Sequence, residues 1–275
     1  MAFDRLVRFE QDGTAHYGDI VEITQKGYLV KKLNGSINDG FTPTSGDAVL
    51  VEHLLCPVKR AAIIQCIGLN YKQHAKEASL EVPEYPVVFT KPPDALTGPN
   101  TAISICPGAQ PMLDYEGELT VIISKDCKNL PVDVNLPEYV LGYTAGNDVS
   151  ARNYQLPAAG GGQYGYAKSF NGFAPIGPWI ASPRLVPDLK VLRYKTRVNG
   201  EVRQETGVDD MIWSVQQILH HLSRGTTLRA GTVIMTGTPS GVGFFRKQFL
   251  KDGDVVEVEI EGLMTLSNKM EFEKH

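Results

Sequence analysis

Apolar and polar residues alternate with a period of two along much of this chain, the pattern of strands that bury one face. Near the start, TAHYGDIVEI and GYLVKKL alternate in this way, punctuated by Gly, Asn and Asp. Further on, the pattern predicts strands at Ile63–Ile67, Val87–Thr90, Leu119–Ile123, Tyr139–Asn147, Trp179–Ala181, Lys195–Val198, Thr232–Thr236 and Val255–Ile260. Helical patterns are few. NYKQHAKEAS predicts one helix, with Asn70 as its cap and Gln73 at the reach-back position of a capping box. DDMIWSVQQILHHLSRG predicts another, with Ile212, Val215, Leu219 and Leu222 as its apolar stripe, Asp209 or Asp210 as its cap and Gly225 as its stop. Strands that predominate without regular alternation with helices argue against a doubly wound or (β/α)8 architecture. They predict an α+β, β-rich fold, a mixed roll or sandwich. A new apolar region begins near Pro57, which divides the chain into a small N-terminal β-rich domain, 1–58, and a main domain, 59–275.

Composition narrows the class. The chain has 275 residues, 42% hydrophobic and 21% charged, with a net charge of −4. This is the balance of an ordinary globular protein. It carries no block of Lys and Arg, so a nucleic-acid surface is not expected. The four cysteines, Cys56, Cys66, Cys106 and Cys127, lie far apart, which speaks against both a disulfide framework and a thiolate zinc site. With no apolar run of membrane-spanning length and an early acidic residue where a targeting peptide would have none, the expectation is a cytoplasmic protein with reduced thiols.

Against this background four places could carry chemistry. In LDYEGELTVII, Glu116 and Glu118 stand two residues apart, so on a strand they share a face and repel each other unless water, a proton or a cation intervenes. A solvated edge strand and a metal site both answer that. In GYTAGNDVSARNYQ, Asp148 closes an apolar strand and is followed by Arg152 and Gln155; a turn cap is the plainer reading. Were Asp148 to lie beside the glutamates, its hard oxygens would complete a set suited to Mg²⁺, Mn²⁺ or Ca²⁺. His74 and Glu77 stand three apart, on one face of the first helix, either as an oriented general base or as a surface pair. In AAGGGQYGYAKSFNGFAPIGP, Lys168 follows a glycine-rich loop that could act as a lid; Lys168, like Lys91 in VVFTKPPDAL, could meet a substrate anion or simply face water. TGTPSGVG lacks the lysine of a P-loop and reads as a tight loop whose N–H groups and Thr238 hydroxyl approach something small.

Taken in order, GLNYKQHAKEAS, PVVFTKPPDALTGPN, LDYEGELTVII, GYTAGNDVSARNYQ, AKSFNGFAPIGPWI, VNGEVRQ and VIMTGTPSGVGFFRKQFLKDGDVVEVEIEG resemble the fumarylacetoacetate hydrolase family, over roughly residues 63–270. TGTPSGVGFFRK and SARNYQ look closer to its small domain-containing branch than to the longer fumarylacetoacetases. The resemblance implies the family's mixed β-sandwich roll, usually dimeric, behind a small N-terminal β module. It implies Glu116, Glu118 and Asp148 as ligands of Mg²⁺ or Mn²⁺, and His74 with Glu77 as an acid–base pair on a closing lid. It implies Lys168, Arg152, Gln155 and Thr238 as contacts to substrate oxygens. The expected substrate is a small 2-oxo acid with a second carbonyl β to the first, handled through an enolate that the metal stabilises. Hydrolytic carbon–carbon cleavage of an acylpyruvate leads. Oxaloacetate decarboxylation, oxaloacetate keto–enol tautomerisation and a non-catalytic member that binds metal and a small acid are the alternatives. The acidic balance disfavours a nuclease.

Overall fold

The computed structural model describes residues 1–274. Besides several strands of two or three residues, its strands are β1 (Arg5–Gln11), β2 (Thr14–Thr24), β3 (Gly27–Ser36), β4 (Gly40–Pro43), β5 (Ile64–Gly68), β6 (Val87–Lys91), β7 (Ile103–Ile105), β8 (Gly117–Ile123), β9 (Val140–Asn147), β10 (Ala174–Ala181), β11 (Arg193–Val198), β12 (Glu201–Gly207), β13 (Val233–Met235), β14 (Val255–Ile260) and β15 (Met264–Phe272). The two longest helices are α1 (Lys72–Ala78) and α2 (Val215–Ser223). No helix among the described residues is long and apolar enough to cross a membrane.

The main sheet runs β4-β3-β2-β1-β10-β9-β8-β13-β5-β6. Its β13–β5 pair is parallel and the other neighbours along that path are antiparallel. A second sheet, β7-β15-β14-β11-β12, packs against its middle. This is the β-rich mixed α+β sandwich that the sequence pattern predicts. Ahead of Pro57, β1 hydrogen-bonds to β10, with Arg5 opposite Ala181 and Leu6 opposite Ile180.

All residues of β8 and β9 are buried. Leu119, Val121 and Ile123 face the core shared with Tyr194, Val258 and Leu266 of the second sheet. Ile122, one step out of phase, joins Ile64, Ile176 and Met235 on the opposite face. A strand buried on both sides tolerates polar groups only where they are paired, so the acids at its end are informative.

Both helices exist, but their caps differ from the sequence expectation. Asn70 does not cap α1, whose N-cap is Tyr71 with no side-chain bond. Asn70 is fully buried and its amide donates to the carbonyls of Trp213 and Thr236 while accepting from the Trp213 N–H. Asp210 accepts instead from the Gln73 N–H at 3.1 Å, so the first turn is served from a distant segment. Helix α2 begins later than Asp209 or Asp210, which form a 3-10 turn; Ser214 and Gln217 make a reciprocal capping box there. Ser214 wins because its side chain reaches the third helical N–H. Val215, Leu219 and Leu222 of the expected stripe are buried, joined by Ile218.

Candidate active site

The antiparallel register of β8 and β9 pairs Gly117 with Asn147 and Glu118 with Gly146. Glu116, just before β8, and Asp148, just after β9, therefore emerge side by side. The Asp148 N–H donates to the Glu116 carbonyl at 2.9 Å, and the Glu116 N–H donates to Asn147 Oδ1 at 2.9 Å. Glu116, Glu118 and Asp148 each offer a carboxylate oxygen within 4.8 Å of the others, and all are buried. The residue between the glutamates has to be glycine. A Cβ on Gly117 would sit 1.9 Å from Thr196 Oγ1 of β11, so the second sheet closes directly on the strand.

Cations surround the acids. Lys168 Nζ donates to Glu116 Oε2 at 2.8 Å, Asp148 Oδ2 at 2.7 Å and Ser150 Oγ at 2.8 Å. Arg152 Nη2 pairs with Glu116 Oε1 at 2.6 Å, Nε with Asp114 Oδ2 at 2.8 Å, and Nη1 donates to Gln155 Oε1 at 2.9 Å. Lys91, expected to contact substrate, does not border the cavity. It is almost wholly buried and its ammonium meets Asp148 Oδ1 and the carbonyls of Val149 and Phe173. With all three N–H groups engaged, Lys91 fixes Asp148 from behind.

These neighbours divide the acids electrostatically. Burial by itself would raise the Glu116 carboxyl, but Lys168 and Arg152 outweigh it and hold the group down to about 2. Among the described residues, Glu118 has only the Gly237 N–H, at 2.7 Å, as a direct hydrogen-bond donor. Burial, then Asp148 and Glu116, push it well above the usual carboxylate range. Burial would lower Lys168, yet Asp148 and Glu116 raise it to about 12. Four buried carboxylates (Asp114, Glu116, Glu118, Asp148) thus face three buried cations (Lys91, Arg152, Lys168). Glu118, which has no cation partner among the described residues, and the all-oxygen donor set fit a hard divalent cation held by Glu116, Glu118 and Asp148. Neither points to one particular metal.

A cavity of about 350 Å³ opens over this cluster. Glu116, Arg152, Gln155, Lys168, His74 and Thr238 line it, whereas Glu118 and Asp148 lie beneath the wall. His74 Nδ1 is 3.0 Å from Glu77 Oε2, and Nε2 has no partner among the described residues. Glu77 Oε1 in turn accepts from the Gly241 N–H at 3.0 Å, so the pair is tied to the TGTPSGVG loop. The His74 ring packs edge-on against Phe245. Gly162 of the glycine-rich loop also borders the cavity. So does Leu69, whose φ of 48° is left-handed, a conformation that stores strain in a bulky residue.

The glycine loop after β13 behaves differently from its sequence reading. Its N–H groups hold the protein's own carboxylates: Gly237 to Glu118, Gly241 to Glu77 and Gly243 to Asp114. Gly237 has φ 99°, and a Cβ there would lie 2.7 Å from Asn70 Cβ. The Thr238 hydroxyl donates to the Gly117 carbonyl at 3.1 Å and accepts from Gln204 Nε2 at 2.8 Å. It keeps one acceptor position. Asp114 and Gln204 are the organising residues that sequence reasoning missed. The available signals were an acid between apolar neighbours in LDYEGELTVII and the glutamine that ends VNGEVRQ, both inside segments that carry the family resemblance. A larger groove of about 820 Å³, between Asp133–Pro137 and the start of α2, carries only exposed charges, Asp133, Asp188, Lys190 and Asp209. The buried titratable cluster borders the smaller cavity instead.

Residues 63–271 match the family described as fumarylacetoacetate (FAA) hydrolase, C-terminal. The chain belongs to the fumarylacetoacetate hydrolase family, a family of enzymes. It is 40% identical over 211 residues to an oxaloacetate tautomerase of Bacillus subtilis (strain 168), covering 75% of this chain and 69% of that protein. It is 35% identical over 294 aligned residues to a caffeoylpyruvate hydrolase of Neonothopanus nambi, covering 99% of this chain and 94% of that one. Among solved structures, the 5-carboxymethyl-2-hydroxymuconate delta-isomerase of Mycobacterium smegmatis matches with a TM-score of 0.85 and 32% identity, covering 98% of this chain and all of that one (100%).

Proposed function

We propose that the protein is a divalent-metal-dependent enzyme that cleaves a carbon–carbon bond of an acylpyruvate-type 2-oxo acid by hydrolysis. The observation that carries this reading is the shared cavity wall: an imidazole with one nitrogen oriented by Glu77 and the other free stands over the Glu116–Arg152–Lys168 cluster. When bound by Glu116, Glu118 and Asp148, a divalent cation would supply Lewis-acid stabilisation of negative charge on substrate oxygens.

Arg152 is set to receive the substrate carboxylate. Nε and Nη1 each donate within the protein and the buried Nη2 pairs with Glu116, which leaves the second N–H of Nη1 for a substrate oxygen. Gln155 steadies the guanidinium by accepting from Nη1. Lys168 borders the cavity but spends all three N–H groups on Glu116, Asp148 and Ser150. Its part is to hold Glu116 and Asp148 in place rather than to grip substrate. His74 Nε2 takes a proton from water, whose oxygen adds to the distal carbonyl carbon. The bond from that carbon to the central carbon breaks, its electron pair stays on the pyruvate half as an enolate, and the imidazolium returns the proton to carbon. The products are a carboxylic acid and a 2-oxo acid.

The rest of the wall favours an apolar acyl group. Leu69, Leu80, Leu156, Tyr164, Phe244 and Phe245 line the cavity, and among the described residues its only fixed cations are Arg152 and Lys168. A second carboxylate would find no free cation there. Keto–enol exchange of oxaloacetate is the second reading, favoured by the relatives of that name and needing no water nucleophile. The test is turnover of acylpyruvates of increasing acyl size, against oxaloacetate and its enol, with Mg²⁺ or Mn²⁺. Hydrolysis that rises with apolar acyl length supports the first reading; enol–keto exchange without hydrolysis replaces it with the second.

A further inference from the structure

Asp114 is fully buried, and its two oxygens accept four hydrogen bonds. Oδ1 receives the N–H of Tyr115 at 2.9 Å and of Gly243 at 2.7 Å. Oδ2 receives the N–H of Phe244 at 2.9 Å and Arg152 Nε at 2.8 Å. A short antiparallel ladder sets the approach, with Leu113 opposite Ala151 and Asp114 opposite Ser150. The contact with the following turn is equally close, since a Cβ on Gly243 would lie 2.5 Å from Asp114 Oδ1. One carboxylate therefore joins the guanidinium on one wall of the cavity to the turn that carries Phe244 and Phe245, and Phe245 packs against His74.

We infer that Asp114 is a positioning residue that fixes the rotation of the Arg152 guanidinium and registers it against the aromatic turn beside His74. Arg152 has a flexible stem, and its Nη2 contact with Glu116 does not by itself settle which edge of the plane faces the cavity. Anchoring Nε from behind does, because the planar fork then has one orientation. Asp114 is not itself on the cavity wall, so its effect on substrate passes through Arg152 and the turn.

This rests on the reading of Arg152 as the carboxylate contact, and the test separates the two. In Asp114→Asn the amide nitrogen cannot accept, so at least one of the four donors loses its partner. In the magnesium-loaded protein, Asp114→Asn should raise KM for a 2-oxo acid at least tenfold while kcat changes less than threefold. It should also weaken oxalate binding by a similar factor, with magnesium affinity unchanged. Asp114→Glu, which keeps the charge, should recover part of the loss. An NMR readout is independent of any substrate: the Arg152 Nε–H signal, sharp and slow to exchange in the parent, should broaden or exchange rapidly in Asp114→Asn while the remaining amide spectrum is retained. If Asp114→Asn does not fold, Gly243→Ala, which presses on Oδ1, should give the same KM and Nε–H changes in milder form. An unchanged Nε–H signal and KM would overturn the proposal. So would a fall in kcat and magnesium affinity with KM unchanged, which marks a merely structural role. If the parent neither binds oxalate nor turns over a 2-oxo acid while the Nε–H change occurs, the functional reading fails and the positioning role stands.

Discussion

The Asp148 N–H donates to the Glu116 carbonyl at 2.9 Å, so two acids 32 positions apart in the chain are locked together by backbone before their side chains are considered. Antiparallel strands bring the start of one beside the end of the next. Acids at those two ends converge because β8 and β9 pair in this register, and the cluster inherits the rigidity of the sheet.

Adding Mg²⁺ or Mn²⁺ to chelator-stripped protein should raise its thermal midpoint. At a hundredfold excess over the dissociation constant the gain is about 2.7 kcal/mol. For a chain of this size that is a shift of roughly 5–10 °C. Scanning fluorimetry reads it directly. Glu118→Gln should abolish most of the shift; an equal shift in that variant would remove the carboxylate set from consideration.

His74→Ala should lower acylpyruvate hydrolysis by about 10² to 10⁴-fold, the usual worth of a positioned general base. Magnesium affinity should not move, because His74 contacts Glu77 rather than the carboxylate cluster. Glu77→Gln should lose less, since an amide oxygen can still accept from the ring. Enol–keto exchange of oxaloacetate that persists in His74→Ala would assign water activation, and not enolisation, to the imidazole.

Lys91→Met removes the ammonium that backs Asp148 and leaves that carboxylate buried beside Glu116 and Glu118. Breaking a buried pair in this way costs about 3–5 kcal/mol. The loss should appear in chemical denaturation of the metal-free protein and shrink when magnesium is present. A variant equally stable with and without the metal would contradict the charge balance described for the site.

Gly117→Ala forces a Cβ against Thr196 Oγ1. Overpacking of this kind costs about 1–3 kcal/mol, and here the strain falls between two of the proposed ligands. Magnesium affinity should drop together with stability, and Thr196→Ala should restore part of both. No recovery in the double variant would show that the strand, and not that contact, is at fault.

Asn70→Ala leaves the Trp213 N–H and the Thr236 carbonyl without their side-chain partner in the interior. Each orphaned group costs about 1–3 kcal/mol. Asn70 also packs against Gly237, whose N–H holds Glu118, so hydrolysis should fall at temperatures where the fold is intact. Circular dichroism and activity measured in parallel separate the two effects.

Strand positions, the amphipathic face of α2 and the acids at the ends of β8 and β9 were legible in the sequence, because alternation and periodicity are local consequences of burying one face. The order of motifs along roughly residues 63–270 was enough to indicate the family, which matches residues 63–271. What stayed hidden were roles set by hydrogen-bond and ion-pair partners distant in the chain, at Asn70, Lys91, Lys168 and Asp114. Asn70 looked like a cap because caps are defined by adjacent residues, yet its amide is consumed 143 and 166 positions away. Lys91 and Lys168 both read as free cations, and only the packed structure shows that their ammonium hydrogens are spent on carboxylates and carbonyls. Asp114 stands inside LDYEGELTVII with no role legible there, since what matters about it is the four donors that the fold delivers to it. Residue types and their periodicity are written along the chain; the partner of a buried charge is chosen by strand register and sheet packing, which bring together groups that no local pattern connects.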